Sequence, residues 1–488
     1  MEAGPCQDPH DKKSRKFGKE RTMLWKRWWS VAAELRPACA RLRTFLWMTA
    51  CLAGMTVRVD LMGVTSIVRA LGLMPMCYDR ILDFFHSPAL NVDALTRIWR
   101  RVVFKVHPGI LRVEGRPVLV GDGIKVPKAG KKMPAVKRLH QESEGNTKPS
   151  YIMGHSCQAV AILAGARSTT FAIPLAARIH EGVLFNNNDK RTLLDKMVLL
   201  IDSLGLSDPF YFVADAYYAS GKIIRGMRAD GNHLVARVRK NAVAYEQPPA
   251  PTLPRPPGRP RKYGTKVALR SMLDAAETMQ ETPSPVYGEK NVIIRFCCRD
   301  LLWRPVGILV RFVAVIHPTP GHMLLLSTDL DLAPVDIVRI YGLRFKIELS
   351  FKQALRIIGA YGDHFWMATV TPLGRTSGNQ HLHRKSPDYR QAIRRKIRAY
   401  HCHIQLGIIA QGMLQYLSSA FTQTVWSSFG SWIRTVRPGL CPSEQVTAMA
   451  MRNALPAFLA DATEKTALAD FLHQRIDIDR AEGLRLVA

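Results

Sequence analysis

The chain has 488 residues, with 69 Lys and Arg against 39 Asp and Glu, a formal net charge of +30. At 47% hydrophobic it holds enough apolar side chain for several cores, which excludes a mainly disordered polycation; its length suggests two to four domains. The charge excess points to a polyanionic partner, nucleic acid or an anionic membrane surface.

Residues 1–30 read as a loose, polar, basic arm without the apolar run of a secretory signal. The apolar stretch Phe45–Val57 is shorter than the roughly 20 residues a spanning helix needs, and Arg58 and Asp60 follow at once. No membrane is expected. The nine cysteines are scattered without a Cys-x-x-Cys pair, the pattern of reduced thiols in a cytoplasm, which with the charge gives a soluble intracellular nucleic-acid protein as the default expectation. From about Met23 to Val103 the text is helical. Within it Thr65–Leu71 ends at Gly72, and Pro75 opens a second helix with Tyr78, Ile81, Leu82 and Phe85 on one face, a helix-turn-helix candidate.

At Arg116 the grammar changes. Strands are expected at Pro117–Val126, Cys157–Ala164 and Thr169–Ala177, then a helix over Arg191–Leu204. A strand over Pro209–Ala214, a helix over Ser220–Ala229 and a strand over His233–Val238 follow. That order implies a mixed sheet covered by helices, an α/β fold. Residues 248–260 hold seven prolines in 13 positions, a density that no regular element survives. The segment runs into Gly258-Arg-Pro-Arg-Lys262, which resembles an AT-hook lying in a minor groove, with a solvated basic loop as the alternative. More strand text follows at Asn291–Cys298, Val306–Ile316 and Met323–Leu326, then a helix that begins near Val335 and runs, continuous or broken, to Ile358. The last 110 or so residues are again helical, with a basic stretch over Tyr389–Ala410.

Two carboxylates stand out. Asp122 ends the apolar run Val118–Val120 between Gly121 and Gly123, and Asp215 ends Tyr211–Ala214. An acid at the end of a buried strand is costly unless a cation neutralises it; capping the next loop is the rival use. A third acid, Glu348, shares one helical face with Tyr341, Arg344 and Lys352, while Leu343, Ile347, Ala354 and Ile358 form the packing stripe. Ordinary ion pairs on a surface helix would give the same pattern. Three carboxylates in one site would repel one another unless hard divalent cations sat among them, and oxygen-only ligands select Mg²⁺ or Mn²⁺. Two such ions suit phosphodiester chemistry.

With these residues the sequence resembles the DDE transposases of bacterial insertion sequences, whose catalytic core is RNase H-like. Their signature is Tyr, two residues, Arg, three residues, Glu, six residues, Lys. Tyr341, Arg344 and Glu348 fit it, whereas Leu355 stands at the Lys position, between Lys352 and Arg356. Fainter likeness extends to Leu139–Glu144 and Gly362–Met367. The resemblance implies that Asp122, Asp215 and Glu348 are catalytic and bind two Mg²⁺ (or Mn²⁺) ions. It implies that Tyr341, Arg344 and Lys352 position DNA, with Lys352 or Arg356 replacing the missing Lys. It further implies cleavage of element ends and joining of the freed 3′-hydroxyl to target DNA, by a homodimer on double-stranded DNA.

The fold expected is thus an RNase H-like α/β core with a β-rich insertion and helical terminal regions. Its parts are an end-binding region (1–110), the first core segment (111–240), a Pro-rich linker and β-rich insertion (241–333), the Glu348 helix segment (334–375) and a helical tail (376–488). Basic runs flank the acids. Residues 100–138 hold 11 Lys and Arg to two acids, 237–270 nine to one and 384–398 seven to one, which suggests a DNA channel. Lys125, Lys240, Arg259 and Arg261 are DNA-contact candidates within them. His381, His383, His401, Cys402 and His403 lack the ligand spacing of structural zinc and read as histidines of a DNA-facing helical region. No Gly-rich phosphate loop is present, so no ATP use is expected. The alternatives are an RNase H-like nuclease without strand transfer and a non-catalytic DNA-binding protein descended from a transposase.

Overall fold

The computed structural model describes residues 22–61, 63–141, 149–250, 259–274, 276–319, 321–431, 435–462 and 465–479. Residues 1–21 of the expected arm, 142–144 of the Leu139–Glu144 segment, and 251–258 of the Pro-rich run lie outside these.

Five strands form the heart of the sheet, in the spatial order Thr169–Ile179, Tyr151–Ala166, Arg116–Pro127, Tyr211–Ala214, His233–Arg237. Tyr151–Ala166 pairs antiparallel with both of its neighbours, and the last two strands run parallel to Arg116–Pro127. Numbered along the chain this is 3-2-1-4-5, the RNase H-like arrangement. Val118, Leu119 and Val120 and all of Tyr211–Ala214 are buried, as expected where helices cover both faces of central parallel strands. The crossover from the third strand to the fourth runs through the helix Leu193–Asp202. It starts where Thr192 donates to Asp195 from both its backbone N–H and its hydroxyl, each at 2.7 Å. The helix Gly221–Ala229 then links the fourth strand to the fifth, its Ser220 hydroxyl accepting from the Ile223 N–H.

The β-rich insertion joins this same sheet. Gly321–Ser327 pairs antiparallel with His233–Arg237, setting Ser327 opposite Val235. Ile308–His317 and Ile293–Trp303 continue outward, followed by Val243–Tyr245 and Lys266–Ala268.

The helical parts pack as one body against the core. The 34-residue helix Pro387–Ala420 crosses the strand Thr169–Ile179 and the helix Leu42–Val57. Gly54 in the latter admits Ile67, whose Cγ2 would lie 2.6 Å from any Cβ placed there. No helix among the described residues is long and apolar enough to cross a membrane. The two short helices expected from the sequence are Gly63–Ala70 and Cys77–His86.

Residues 22–33 are helical, as the reading from Met23 expects, so the arm expected over residues 1–30 does not extend past residue 21. Leu24, Trp25 and Trp28 fall on one face and are fully buried, with the Trp25 indole donating to the Met451 carbonyl at 2.8 Å. The helix from Val335 to Ile358 takes the broken form, Pro334–Gly342 and Lys346–Gln353 with a π-turn over Ala354–Ile358, which corrects the single helical face expected for Tyr341, Arg344, Glu348 and Lys352. Tyr341 and Glu348 therefore sit on separate segments, with Arg344 in the turn between them.

Candidate active site

Asp122 and Asp215 reach the same level by register. In the parallel pair Val120 stands opposite Val213, and each aspartate follows two residues later. Gly121 makes the approach possible: a Cβ there would sit 2.4 Å from the Phe212 ring. Each carboxylate then accepts from the backbone that follows it, Asp122 Oδ1 from the Gly123 N–H at 2.7 Å and Asp215 Oδ1 from the Tyr217 N–H at 3.0 Å. Local capping is therefore met at both positions, yet it does not explain two carboxylates side by side at the centre of the sheet.

Arg344 brings in the third acid. Its guanidinium donates to Asp122 Oδ2 at 3.2 Å and to Glu348 Oε1 at 2.6 Å. Arg344 lies in the turn between the two helix segments and spans from the Asp122 strand to the Glu348 helix. The Asp122 side chain is only 19% exposed, whereas Glu348 is 54% exposed. Burial, then the charge of Asp215, pushes the Asp122 carboxyl up from 3.8 to about 6, against the pull of the Gly123 N–H and Arg344. Burial alone would lower Arg344, but Tyr341, Glu348 and Asp122 together hold it above the ordinary guanidinium value. Burial raises the Tyr341 hydroxyl.

A cleft of about 430 Å³ opens beside these groups, lined by Asp215, Arg237, Arg239, Lys240, Tyr341 and Arg344. Four cations thus surround a carboxylate at the ends of the core strands, a setting for a phosphate chain next to an acidic centre. Lys240 is brought to the cleft as a candidate contact. Arg237 and Arg239 were not singled out from the sequence, although they belong to the same run, whose alternation along a strand end was the available signal.

Other candidates lie elsewhere. Lys125 has odd spacing from Asp122, which places it on the opposite face of the strand, and it donates to the His140 carbonyl at 2.7 Å. Lys352 and Arg356 are exposed beyond Glu348, and Leu355 is also on the surface. Arg259 and Arg261 are exposed on the insertion and do not line the cleft. The outward face of Cys77–His86 carries Tyr78, Asp79, Arg80 and Asp83, two acids to one arginine, so it adds little positive charge for DNA.

The histidine group divides. His403 and Cys402 are buried in the core rather than facing DNA, and the His401 ring accepts from the Ile179 N–H at 3.1 Å. Burial drives His403 down to about 4, so its ring is neutral near pH 7. They lie in the half of Pro387–Ala420 that packs on the sheet, so apolar neighbours override the basic character of the preceding turns.

The donor chemistry of Asp122 and Asp215 fits a hard divalent cation, which would relieve the strain that burial and mutual repulsion place on Asp122. Glu348 is engaged by Arg344 in this arrangement, and no cluster of three or more potential ligands forms among the described residues.

The family model of the DDE superfamily endonucleases matches residues 37–287, a span that holds Asp122 and Asp215 and stops before Glu348. Among solved structures, the chain is similar to a piggyBac transposase synaptic complex with hairpin DNA, determined by cryo-EM. The identity is 13% and the TM-score 0.34, over 92% of this chain and 82% of that one. A likeness of that size decides nothing about this chain. No curated protein matches the sequence.

Proposed function

The chain belongs to the DDE superfamily endonucleases, and from that premise we propose that it is a DNA transposase whose reaction centre is formed by Asp122, Asp215 and Glu348. One observation carries the reading: two aspartates in register on adjacent parallel strands of an RNase H-like sheet, linked through Arg344 to a glutamate on the following helix segment.

Asp122, Asp215 and Glu348 would hold two Mg²⁺ or Mn²⁺ ions. When bound, these supply activation of the attacking oxygen and stabilisation of the leaving one. The chain's own residues do the rest. Arg237, Arg239 and Lys240 hold the phosphate backbone beside Asp215, and Tyr341 closes the same cleft. Arg344 keeps Asp122 and Glu348 from repelling each other before DNA and metal arrive. The covered strands below the acids keep bulk water to one side.

The substrates would be element ends and target DNA, brought together by a homodimer in the cytoplasm. The test is a supercoiled plasmid carrying the DNA that flanks the reading frame, incubated with the chain and Mg²⁺. The expected result is a nick at a defined end, followed by joining of that 3′-hydroxyl to a second duplex. Cleavage without joining would favour a nuclease. DNA binding with neither would favour a non-catalytic descendant.

A further inference from the structure

Two buried cations bond the chain just beyond the Glu348 helix. Arg58 is 3% exposed and follows the helix Leu42–Val57. Its Nε donates to the Ile358 carbonyl at 2.8 Å, and its Nη2 donates to the Ile358 carbonyl and, at 2.9 Å, to that of Gly359. Nη1 donates to Gly63 O at 3.2 Å and to Ser66 Oγ at 2.9 Å. All three guanidinium nitrogens are therefore spent, mostly on backbone. Lys128 follows the strand that carries Asp122. Its Nζ donates to the carbonyls of Tyr361 at 2.7 Å and Asp363 at 2.6 Å, and lies 3.3 Å from Asp363 Oδ1, with both side chains essentially without exposure.

Such burial is expensive and needs a reason other than filling space. The carbonyls that these cations satisfy lie where the helix ends in a π-turn and Gly359 adopts φ +65°. A helix C-terminus leaves its last carbonyls unpaired and carries partial negative charge, so cations belong there. Gly359 also lets Arg58 come close, because a Cβ there would lie 2.6 Å from Nη2. Ile358 is ten residues past Glu348, and Lys128 is six past Asp122. The contacts thus join the trailing ends of both acid-bearing elements.

We propose that Arg58 and Lys128 are positioning residues that fix the Glu348 helix against the Asp122 strand, and so set where Glu348 stands relative to the two aspartates. The proposal rests on the assignment of the acids above. Neither residue reaches the acids; each acts through the backbone it holds.

The experiment uses the full chain with Arg58→Gln, Arg58→Lys and, as a control, Arg178→Gln. Arg178 is another buried arginine; it bonds Ala177 O, Gln405, Thr96 and Asp93, none of them on the Glu348 helix. On the flank-bearing plasmid, Arg58→Gln should raise the Mg²⁺ concentration for half-maximal nicking by about tenfold or more, with KM for DNA within about twofold. Arg58→Lys should recover part of that loss. Arg178→Gln should melt earlier but keep the wild-type metal requirement. An unchanged metal requirement in Arg58→Gln, or the same rise in Arg178→Gln, overturns the proposal. If the wild-type chain does not nick, the site assignment fails, and hydrogen exchange over residues 346–358 decides the clamp. Protection lost in Arg58→Gln but kept in Arg178→Gln supports it, and equal protection in both overturns it.

Discussion

Replacing Asp122 by Asn should stabilise the metal-free protein at neutral and alkaline pH. The change keeps the side-chain shape and removes a charge that is 81% shielded from solvent and placed beside Asp215. The folded carboxyl titrates near 6 and the unfolded one near 3.8, so the folded state holds its proton more tightly. The stability that this proton binding supplies is complete below the unfolded value and is lost as pH rises from about 4 through about 6. Two pH units at 1.36 kcal/mol each come to about 3 kcal/mol by pH 7. The carboxylate is thus held against its own folding preference, as expected of a group placed for a cation and not for packing. Urea unfolding in EDTA, from pH 4 to pH 8, reads the difference. Asp122→Asn should match the wild type near pH 4 and gain about 1–3 kcal/mol by pH 8. Mg²⁺ should then raise the wild-type midpoint and leave that of the variant unchanged. A variant less stable than the wild type at pH 8 in EDTA, or a difference flat with pH, would refute the reasoning.

Other expectations follow from single contacts. Removing Arg237, Arg239 or Lys240 should weaken DNA binding across sequences and lower the slope of log affinity against log salt by about 1 per residue, measured by fluorescence anisotropy. Gly121→Ala drives a methyl into the Phe212 ring and should cost about 1–3 kcal/mol in urea unfolding. Trp25→Ala empties a buried site between Trp28 and Phe458 and should cost about 3–5 kcal/mol, whereas a loose arm would cost nothing.

The sequence was most legible where burial on both faces leaves continuous apolar text. Val118–Val120 and Tyr211–Ala214 declare themselves as central strands, and an acid at the end of each is conspicuous for that reason. The choice of strand partners was not legible, because Ser327 meets Val235 through long-range pairing that no local pattern encodes. The place where the helix breaks, between Tyr341 and Glu348, was also hidden. Periodicity runs through Leu343, Arg344 and Phe345 even though the chain turns there, with Val286 of the insertion packed at Gly342. His403 and Cys402 misled in the opposite sense. They follow a basic run, yet the same helix carries them from the surface into the core. Arg58 stood out only as a charge directly after an apolar stretch; two of its carbonyl partners, Ile358 and Gly359, lie 300 residues or more away.

The central claim is that Asp122, Asp215 and Glu348 form one reaction centre. The most direct measurement is Mg²⁺-dependent nicking of the flank-bearing plasmid by Asp122→Ala, Asp215→Ala and Glu348→Ala, with DNA affinity measured in parallel. Each variant should lose cleavage by several orders of magnitude and bind DNA at least as tightly as the wild type, since each removes a negative charge from the basic cleft or from beside it. Cleavage that survives any one of these substitutions at the wild-type rate would contradict the account.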